Sequence, residues 1–339
     1  MLLNLLRKLL FPVVPIYYLV TWFRNQLYDM GLKSSKSYDF PVIAVGNLSV
    51  GGTGKSPMIE YLIGVLKDNW SVATLSRGYK RKTKGFLVVS NDSSADEVGD
   101  EPLQFKRKFK NVAVGVDANR RNGIEQLMKL VPKPEVVLLD DAYQHRKVKA
   151  GFYILLTAYY DLYSEDIMLP TGGLREPKAG AKRANCIVVT KCPPSLTDSE
   201  KQTIINTLEV QSNQNVYFSS ISYSNELLGA SGAITLKALK AQRFTLVTGI
   251  ANPKPLLEYY HSLGLHFDHI SFPDHHQFTN DDLKKLNQLD CIVTTEKDYV
   301  RLVSKPLDTS LWYQPIKVSF LGGKEKFDRN INEFIAECL

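Results

Sequence analysis

The chain has 339 residues, of which 44% are hydrophobic and 23% are charged, as expected for a globular protein of about two domains. These values exclude a disulfide-stapled miniature protein, a disordered chain and a polytopic membrane protein. The net charge of +7 favours a partner that carries phosphate groups: a nucleotide, a nucleic acid or an anionic lipid surface. The four cysteines form no CxxC pair and no ligand spacing with histidines, so we expect neither a zinc site nor disulfides.

The first predicted element is an apolar segment near the N-terminus. Residues 9–23 are nearly all apolar and follow the basic pair Arg7 and Lys8. A helix of that length spans about 22 Å, less than the roughly 30 Å hydrocarbon core of a bilayer, and Pro12 and Pro15 are expected to interrupt it. No small-residue cleavage site follows, which argues against a signal peptide. We predict a retained anchor at the membrane interface, with a helix packed on the protein's own core as the alternative.

From residue 41 onward, short apolar strand patterns alternate with helical patterns. Such strands, separated by helices, are typical of a parallel sheet covered on both faces. The first series predicts strands at 42–45, 72–75, 112–116, 136–139, 153–156, 187–189 and 216–221. The second series predicts strands at 244–247, 266–270, 292–294 and 316–320, with helices at 255–263 and 281–289.

These series predict an α/β protein with two α/β domains. We expect an N-terminal membrane-associated helix in residues 1–28, a P-loop core with a parallel sheet in residues 29–228, and a second, smaller α/β domain in residues 229–339. The boundary rests only on turn-forming residues and polarity between the two series.

A glycine-rich turn joins the first predicted strand to a helix and has the composition of a phosphate-binding loop. Its glycines let backbone N–H groups approach phosphate oxygens, and the helix N-terminus adds positive potential. Lys55 can reach the β and γ phosphates and Ser56 can bind Mg²⁺. Ser49 stands where the common pattern has its first glycine, so the match is a variant one. The residues predicted to bind the nucleotide here are Gly51, Gly52, Thr53, Gly54, Lys55 and Ser56.

Two acidic pairs supply candidate metal ligands and a candidate base. Asp140 and Asp141 end a buried strand, where a P-loop kinase holds Mg²⁺, and adjacent residues there point to opposite faces. One of them can therefore bind the metal while the other orients the following loop. Asp100 can accept a proton from a substrate hydroxyl and Glu101 can contact the metal. Acidic residues at a helix start are also favoured by the helix dipole alone.

Basic and histidine-containing loops complete the candidates. Arg175, on a glycine-rich turn, can stabilise charge on a transferring phosphoryl group through two hydrogen bonds. Residues 77–84 carry a run of cations that either binds phosphate or is a solvated surface. His275 and His276 lie on a loop after a strand of the second domain, and nothing nearby completes a metal site.

Seven motifs, in order over almost the whole chain, resemble those of the tetraacyldisaccharide 4′-kinase family of lipid A biosynthesis. They are VGNLSVGGTGKSP, LSRGYKRK, VGDEP, LDDAYQH, LPTGGLREP, FPDHH and TTEKD. The resemblance implies transfer of the γ-phosphate of ATP to the 4′-hydroxyl of a tetraacylated disaccharide 1-phosphate lipid, with Mg²⁺, at the cytoplasmic face of the bacterial inner membrane. An anionic membrane surface is then the expected partner, and neither nucleic acid nor an obligate protein partner is implied. The family's unusual P-loop also accounts for Ser49.

The resemblance also implies a role for individual residues. Asp100 would be the base, and His275 would pair with it, with His276 as the second choice. A closing movement of the second domain would bring this histidine to Asp100. Lys55 would bind phosphate and act in catalysis, and Ser56, Glu101 and Asp141 would form the metal environment. The site would be completed by Asp140, Gln144, His145 and Arg175.

Two other functions remain open from the sequence. A P-loop GTPase or ATPase that acts as a maturation factor would also use a variant loop, but a guanine site wants Asn-Lys-x-Asp where this chain has 190–193, Thr-Lys-Cys-Pro. A non-enzymatic protein that binds membranes or nucleic acid through its basic loops would not need the metal-binding acids.

Overall fold

The computed structural model describes residues 9–339, so Arg7 and Lys8 lie outside the described residues. A short 3₁₀ turn, Phe11–Val13, leads into helix α1, Val14–Asp29. The expectation that two prolines interrupt this helix is wrong, because one lies in the preceding turn and the other in the first helical turn, where a missing N–H costs nothing. Between residues 9 and 339, every helix is too short or too polar to cross a bilayer.

The first eight strands form most of a large sheet. Seven of them run parallel in the order β8-β7-β6-β1-β5-β2-β4, and β3 pairs antiparallel at one edge. The central strands are buried along almost their whole length, which is why they are nearly continuous apolar runs. The strands are β1 (Val42–Asn47), β2 (Val72–Ser76), β3 (Leu87–Val88), β4 (Ala113–Val116), β5 (Val136–Asp140), β6 (Phe152–Ala158), β7 (Cys186–Thr190) and β8 (Asn215–Tyr223).

Helices cover both faces of this sheet and bury two apolar layers. One layer contains the helix that follows the P-loop, and the other lies beneath the helix before β5. A third apolar cluster packs around β6 and β7, and Val14 and Tyr17 of α1 lie against it. The helices are α2 (Lys55–Leu66), α3 (Ala95–Val98), α4 (Asp100–Lys108), α5 (Arg120–Leu127) and α6 (Asp198–Thr207).

A smaller sheet of six strands follows, in the order β10-β9-β14-β13-β11-β12. Its four later strands are parallel, and the hairpin of β9 and β10 is added antiparallel at one edge. The strands are β9 (Glu226–Gly229), β10 (Gly232–Thr235), β11 (Phe244–Thr248), β12 (Phe267–Ser271), β13 (Cys291–Thr295) and β14 (Ser310–Gln314). The helices are α7 (Leu236–Leu239), α8 (Lys254–Ser262), α9 (Asn280–Leu286) and α10 (Glu296–Leu302).

The chain then returns to the large sheet, which corrects the sequence analysis. Strand β15, Ile316–Phe320, pairs antiparallel with β8 rather than joining the smaller sheet. Helix α11, Lys324–Cys338, buries Phe327, Ile331 and Ile335 in the layer beside α2. The placement of strand 316–320 in the smaller domain is therefore wrong, because an alternating pattern indicates a strand but not the sheet that accepts it. The smaller unit is an insertion between β8 and β15.

Candidate active site

The predicted glycine-rich turn lies between β1 and α2, at the carboxyl edge of the large parallel sheet. Strands β5 and β6 flank β1 on opposite sides, and ligands of open α/β sheets bind in the crevice at such a point. Gly51 and Gly54 have φ values of +113° and +84°, a left-handed conformation that favours glycine. Lys55 is the first residue of α2, so backbone N–H groups at the helix start face the crevice.

Three loops bring cations and one carboxylate together in this crevice. Lys55 Nζ lies 3.3 Å from Asn47 Oδ1 and 3.7 Å from an oxygen of Asp141. The guanidinium of Arg175 donates to the same Asp141 oxygen at 3.0 Å and to the Asn47 carbonyl at 3.0 Å. Burial raises the pKa of the Asp141 carboxyl, but Lys55 and Arg175 outweigh this and hold the pKa below its usual value. Two cations, Lys55 and Arg175, thus face one carboxylate. The excess positive charge can bind a phosphate group.

A second group of oxygens lies behind the P-loop. Asp140 is buried at the end of β5, where Ser76 Oγ donates to its Oδ2 at 3.2 Å and its Oδ1 has no hydrogen-bond partner among residues 9–339. Ser56 Oγ donates to Glu101 at 3.3 Å. Burial, and then the charges of Glu101 and Asp141, raise the pKa of Asp140.

These oxygen donors fit Mg²⁺, because hard divalent cations prefer carboxylate and hydroxyl oxygens and would relieve the repulsion among the acids. Within residues 9–339, no three His, Cys, Asp or Glu side chains are arranged to hold a metal by themselves. Mg²⁺ usually takes one or two protein carboxylates and completes its shell with water and phosphate oxygens.

The smaller unit contacts the large one at Asp100, the first residue of α4. His275 Nδ1 lies 3.1 Å from Asp100 Oδ2, and Arg301 donates to the same oxygen from Nε at 2.9 Å. His276 instead contacts Asp282, with 2.9 Å between its Nε2 and Oδ2. The structure thus brings His275, and not His276, to Asp100. The φ of His275 is +58°, an uncommon value that for a residue other than glycine often marks a functional position.

Asp100 is an ionised carboxylate at neutral pH. Burial raises its pKa, but hydrogen bonds from His275 and Arg301, together with the charge of Arg301, outweigh burial and lower the pKa to about 2. The Arg301 guanidinium also donates to the buried Asp298 at 3.0 Å, and Asp298 in turn accepts from the backbone N–H of Gly249. The base candidate is therefore fixed by residues of the smaller unit.

Gln144 and His145, which the sequence predicts as nucleotide ligands, lie on the loop after β5. Gln144 Nε2 donates to the Asn47 carbonyl at 2.8 Å, next to the P-loop. His145 Nε2 is buried and has no hydrogen-bond partner in the described part of the chain. Burial, with nearby cations led by Arg120, lowers the pKa of His145 to about 4. His145 is therefore neutral at pH 7, and a contact of either residue with nucleotide stays a prediction.

Several residues of the site escaped the sequence analysis. Thr190 Oγ1 donates to the Thr53 carbonyl at 2.8 Å, and Lys191 Nζ donates to the Gly52 carbonyl at 2.5 Å, so the end of β7 supports the P-loop. Arg301 was also missed, although it lies one helical turn beyond a lysine of the TTEKD motif and thus on the same helix face.

The fold and the site together define a P-loop phosphotransferase. A phosphate-binding loop begins at the carboxyl edge of a parallel sheet, oxygen donors suited to Mg²⁺ lie behind it, and an ionised carboxylate stands beside them.

Comparisons with known proteins identify the family within this class. The family model for LpxK, the tetraacyldisaccharide-1-P 4′-kinase, matches residues 6–336. A tetraacyldisaccharide 4′-kinase of Flavobacterium johnsoniae is 51% identical, over 99% of each chain, and one of Phocaeicola vulgatus is 42% identical, over 97% of this chain and 95% of its own. The crystal structure of LpxK from Aquifex aeolicus in complex with ATP superimposes with a TM-score of 0.78 at 31% identity, covering 97% of this chain and 99% of that one. The chain belongs to the LpxK family, and the predicted resemblance and α/β fold class are confirmed. The membrane association of the N-terminal helix stays a prediction.

Proposed function

We propose that this protein transfers the γ-phosphate of ATP to the 4′-hydroxyl of a tetraacyldisaccharide 1-phosphate, a step of lipid A biosynthesis. Membership of the LpxK family and relatives named as this kinase support the activity. The observation that carries the proposal is the placement of two adjacent acids. Glu101 contacts Ser56 of the P-loop, while Asp100 faces the smaller unit and is held there as a carboxylate. A base is thus fixed beside the phosphate-binding end of the crevice.

The residues around the P-loop would act through their charges and hydrogen-bond donors. Backbone N–H groups at the start of α2, with Lys55 and Arg175, would bind and orient the phosphates of ATP. Ser56, Glu101 and Asp141 would hold Mg²⁺, with Asp140 beside them. When bound, Mg²⁺ neutralises charge on the phosphate oxygens.

Asp100 would act on the acceptor. As the 4′-oxygen forms its bond to the γ-phosphorus and the bond to ADP breaks, the hydroxyl proton passes to the Asp100 carboxylate. A carboxylate with a low pKa suits this role, because phosphoryl transfer has a loose transition state in which the hydroxyl loses its proton late. Its main contribution is then to orient the hydroxyl.

A basic cavity beside Asp100 offers a place for the anionic head of the substrate. It measures about 540 Å³, and its lining includes four cations. The loop that forms it packs against Gly99, since a methyl group added to Gly99 would lie 3.2 Å from the Tyr79 carbonyl oxygen. A sugar phosphate held in this cavity would therefore be next to the base. The cations are Arg77, Lys80, Arg81 and Lys84.

Helix α1 would keep the enzyme at the membrane that holds its substrate. Its polar side is fixed to the core, where Tyr17 Oη donates to the Arg175 carbonyl at 3.1 Å and Asn25 donates to Glu176 at 2.7 Å. Its apolar side is exposed, the reverse of an ordinary surface helix. Such a face suits the acyl-chain boundary of an anionic leaflet, the cytoplasmic face of the inner membrane. The exposed apolar residues of α1 and of the segment just before it are Leu9, Leu10, Phe11, Val13, Ile16, Tyr18, Leu19, Val20, Trp22 and Phe23.

The domain limits follow the sheets in this proposal. Residues 1–28 would form the anchor, the kinase core would comprise residues 29–224 together with 315–339, and residues 225–314 would form the smaller domain. The return of the chain to the large sheet at β15 supports this division.

The test is phosphate transfer from γ-³²P-ATP to a tetraacyldisaccharide 1-phosphate in detergent micelles with Mg²⁺. We expect radioactive lipid with the wild type, and at least a hundredfold less with Lys55→Ala or Asp100→Asn. Lys254→Ala and Asp198→Asn, which change exposed side chains paired with Glu258 and Lys201, are matched controls and should keep full activity. ATP hydrolysis that depends on Lys55 without lipid product would contradict the lipid kinase and favour an ATPase instead.

A further inference from the structure

The imidazole of His275 lies between a carboxylate and an ammonium group. Its Nδ1 is 3.1 Å from Asp100 Oδ2, and its Nε2 is 2.9 Å from Lys297 Nζ. The side chains are well covered, with 19% of His275 and 14% of Asp100 exposed. The ring edge of Tyr79 packs on the imidazole at a centroid distance of 5.7 Å. The ring is thus held in one orientation.

The neighbours of Nδ1 alone do not decide where the ring carries its proton. Asp100 Oδ2 can only accept a hydrogen bond, whereas Arg301 Nη2, 3.0 Å from Nδ1, can only donate one. A protonated Nδ1 satisfies Asp100, and an unprotonated Nδ1 satisfies Arg301. Both tautomers of a neutral imidazole therefore have a partner at this end of the ring.

The contact at Nε2 decides which ring nitrogen of His275 carries the proton. A lysine ammonium has three donors and no acceptor, so its contact with Nε2 requires a lone pair there. A neutral imidazole with a lone pair on Nε2 carries its proton on Nδ1. We propose that Lys297 is a positioning residue that fixes the Nδ1–H tautomer of His275, so that His275 donates its hydrogen bond to Asp100. The catalytic consequence rests on the proposed function.

Lys297 is free for this role because its acidic neighbours in α10 bind elsewhere. Glu296 pairs with Lys108 at 3.1 Å, and Asp298 is bound to Arg301 and to the Gly249 N–H. Among the described residues, no carboxylate lies within ion-pair distance of the Lys297 ammonium. The His275 imidazole is therefore the hydrogen-bond partner of this ammonium group.

The Nδ1–H tautomer adds a third donor to one oxygen of Asp100, beside the two from Arg301. The donors from His275 and Arg301 all converge on Oδ2. In the described part of the chain, no side-chain hydrogen bond falls on Oδ1, so this is the oxygen left to accept the 4′-hydroxyl proton. Without Lys297, the neutral His275 ring can carry its proton on Nε2. The unprotonated Nδ1 would then face Asp100 Oδ2, and the carboxylate would lose this hydrogen bond.

Nitrogen-15 NMR of the imidazole rings tests the tautomer directly. The full-length protein has six histidines, and His275→Gln identifies the signals of residue 275. We expect Nδ1–H in the wild type, a shift toward Nε2–H in Lys297→Met, and return to Nδ1–H in Lys297→Arg, because a guanidinium also only donates. An Nε2–H ring in the wild type, or a tautomer unchanged in Lys297→Met, would overturn the proposal.

Kinetics test the consequence. Lys297→Met should lower kcat about tenfold or more and leave the KM for ATP unchanged, and Lys297→Arg should recover most of the loss. The control is Lys254→Met, an exposed lysine of the same unit, which should leave both constants unchanged. A switched tautomer with normal kcat would overturn the positioning role. The NMR result needs no substrate, so a failure of the kinase assay in the wild type would count against the proposed function and not against the tautomer.

Discussion

A single buried carboxylate, Glu176, joins the N-terminal helix to the active site. It is 1% exposed and accepts hydrogen bonds from Asn25 at 2.7 Å, Gln144 at 3.0 Å and Arg183 at 2.8 Å. These donors come from α1, from the loop after β5 and from the 3₁₀ helix Lys178–Arg183. Helix α1 and the phosphate-binding loops are therefore anchored at one point.

Replacing this carboxylate should be costly. We expect Glu176→Ala to lower the free energy of unfolding by about 3–5 kcal/mol, because a buried guanidinium and a buried amide lose their acceptor. Urea unfolding measures the change. Asp198→Ala removes a carboxylate that is 97% exposed in an ion pair with Lys201, and should cost less than about 0.5 kcal/mol. A loss in Glu176→Ala as small as in this control would contradict the structural role.

At this scale, the sequence predicted what is local and missed what is distant. Lys55 and Ser56 could be found because P-loop spacing is a property of consecutive residues. Arg301 reaches Asp100 across 201 positions of the chain, and no local pattern reports such a contact. The family resemblance favoured His275 over His276, and the structure places His275 at Asp100. The residues alone left this choice open, because it depends on the backbone conformation of the loop.

Two glycines, Gly46 in β1 and Gly64 in α2, differ in the space around them. In β1, a methyl group on Gly46 would lie 2.6 Å from Tyr143 Cβ, so the strand and the loop after β5 can approach only without a side chain. In α2, a methyl group on Gly64 would meet no atom of the described residues within 4 Å.

Alanine substitutions at these glycines should have opposite effects. Gly64→Ala should raise the free energy of unfolding by about 0.5–1 kcal/mol, since alanine restricts the unfolded chain and favours the helix. Gly46→Ala should lower it by about 1–3 kcal/mol, because the backbone of Tyr143 must shift. Thermal unfolding of both variants, measured side by side, checks the sign. A Gly46→Ala variant more stable than the wild type would show that the loop after β5 can shift without a loss of stability.

Helix α10 docks on α2 and α4 through a buried charge cluster. Lys108 Nζ lies 2.6 Å from Glu60 and 3.1 Å from Glu296, so two carboxylates share one ammonium. Burial, and then the charge of Glu60, raise the pKa of Glu296 from 4.5 to about 7. The folded state therefore binds this proton more tightly than the unfolded state, and ionisation of Glu296 lowers stability as pH rises between these values.

Neutralising Glu296 should remove this pH dependence. We expect Glu296→Gln to be more stable than the wild type at pH 8, by at most about 3 kcal/mol, with the gain fading as pH falls toward 4.5. Melting temperatures across this range measure the difference. The control is Glu258→Gln, in an exposed pair with Lys254, which should show no such slope. A gain that is constant with pH would mean that ionisation of Glu296 is not its source.

At the scale of the whole molecule, the C-terminal helix α11 packs on the large sheet. Its buried side chains pack against the layer that contains α2, and Tyr61 of α2 donates to Asp328 at 2.6 Å. The P-loop helix is thus supported by the last residues of the chain.

Trimming this contact should destabilise the core. Ile331→Ala should lower the free energy of unfolding by about 2–5 kcal/mol, because Ile331 is buried and its removal leaves a cavity. Leu339→Ala, at an exposed position just beyond the same helix, should change it by less than about 0.5 kcal/mol. Denaturant unfolding compares the two, and equal effects would place α11 outside the core.

The sequence predicted the layers of the molecule better than its connections. The central strands β1, β5 and β7 are buried on both faces, and their continuous apolar runs predict a parallel sheet covered by helices. Strand β15 follows the smaller unit directly, and chain order alone assigns it there. Its true partner β8 lies far back along the chain, so only tertiary packing reveals the pairing.

The insertion between β8 and β15 sets an order on biosynthesis. The nine-residue strand β8 leaves the ribosome with one edge open, and its antiparallel partner emerges about 90 residues later. At about 5–20 residues per second, the nascent chain carries this open edge for roughly 5–20 s. Unpaired strand edges recruit other chains. A translation product that stops before residue 316 keeps its edge open permanently, so premature termination yields aggregation-prone fragments rather than a smaller soluble enzyme.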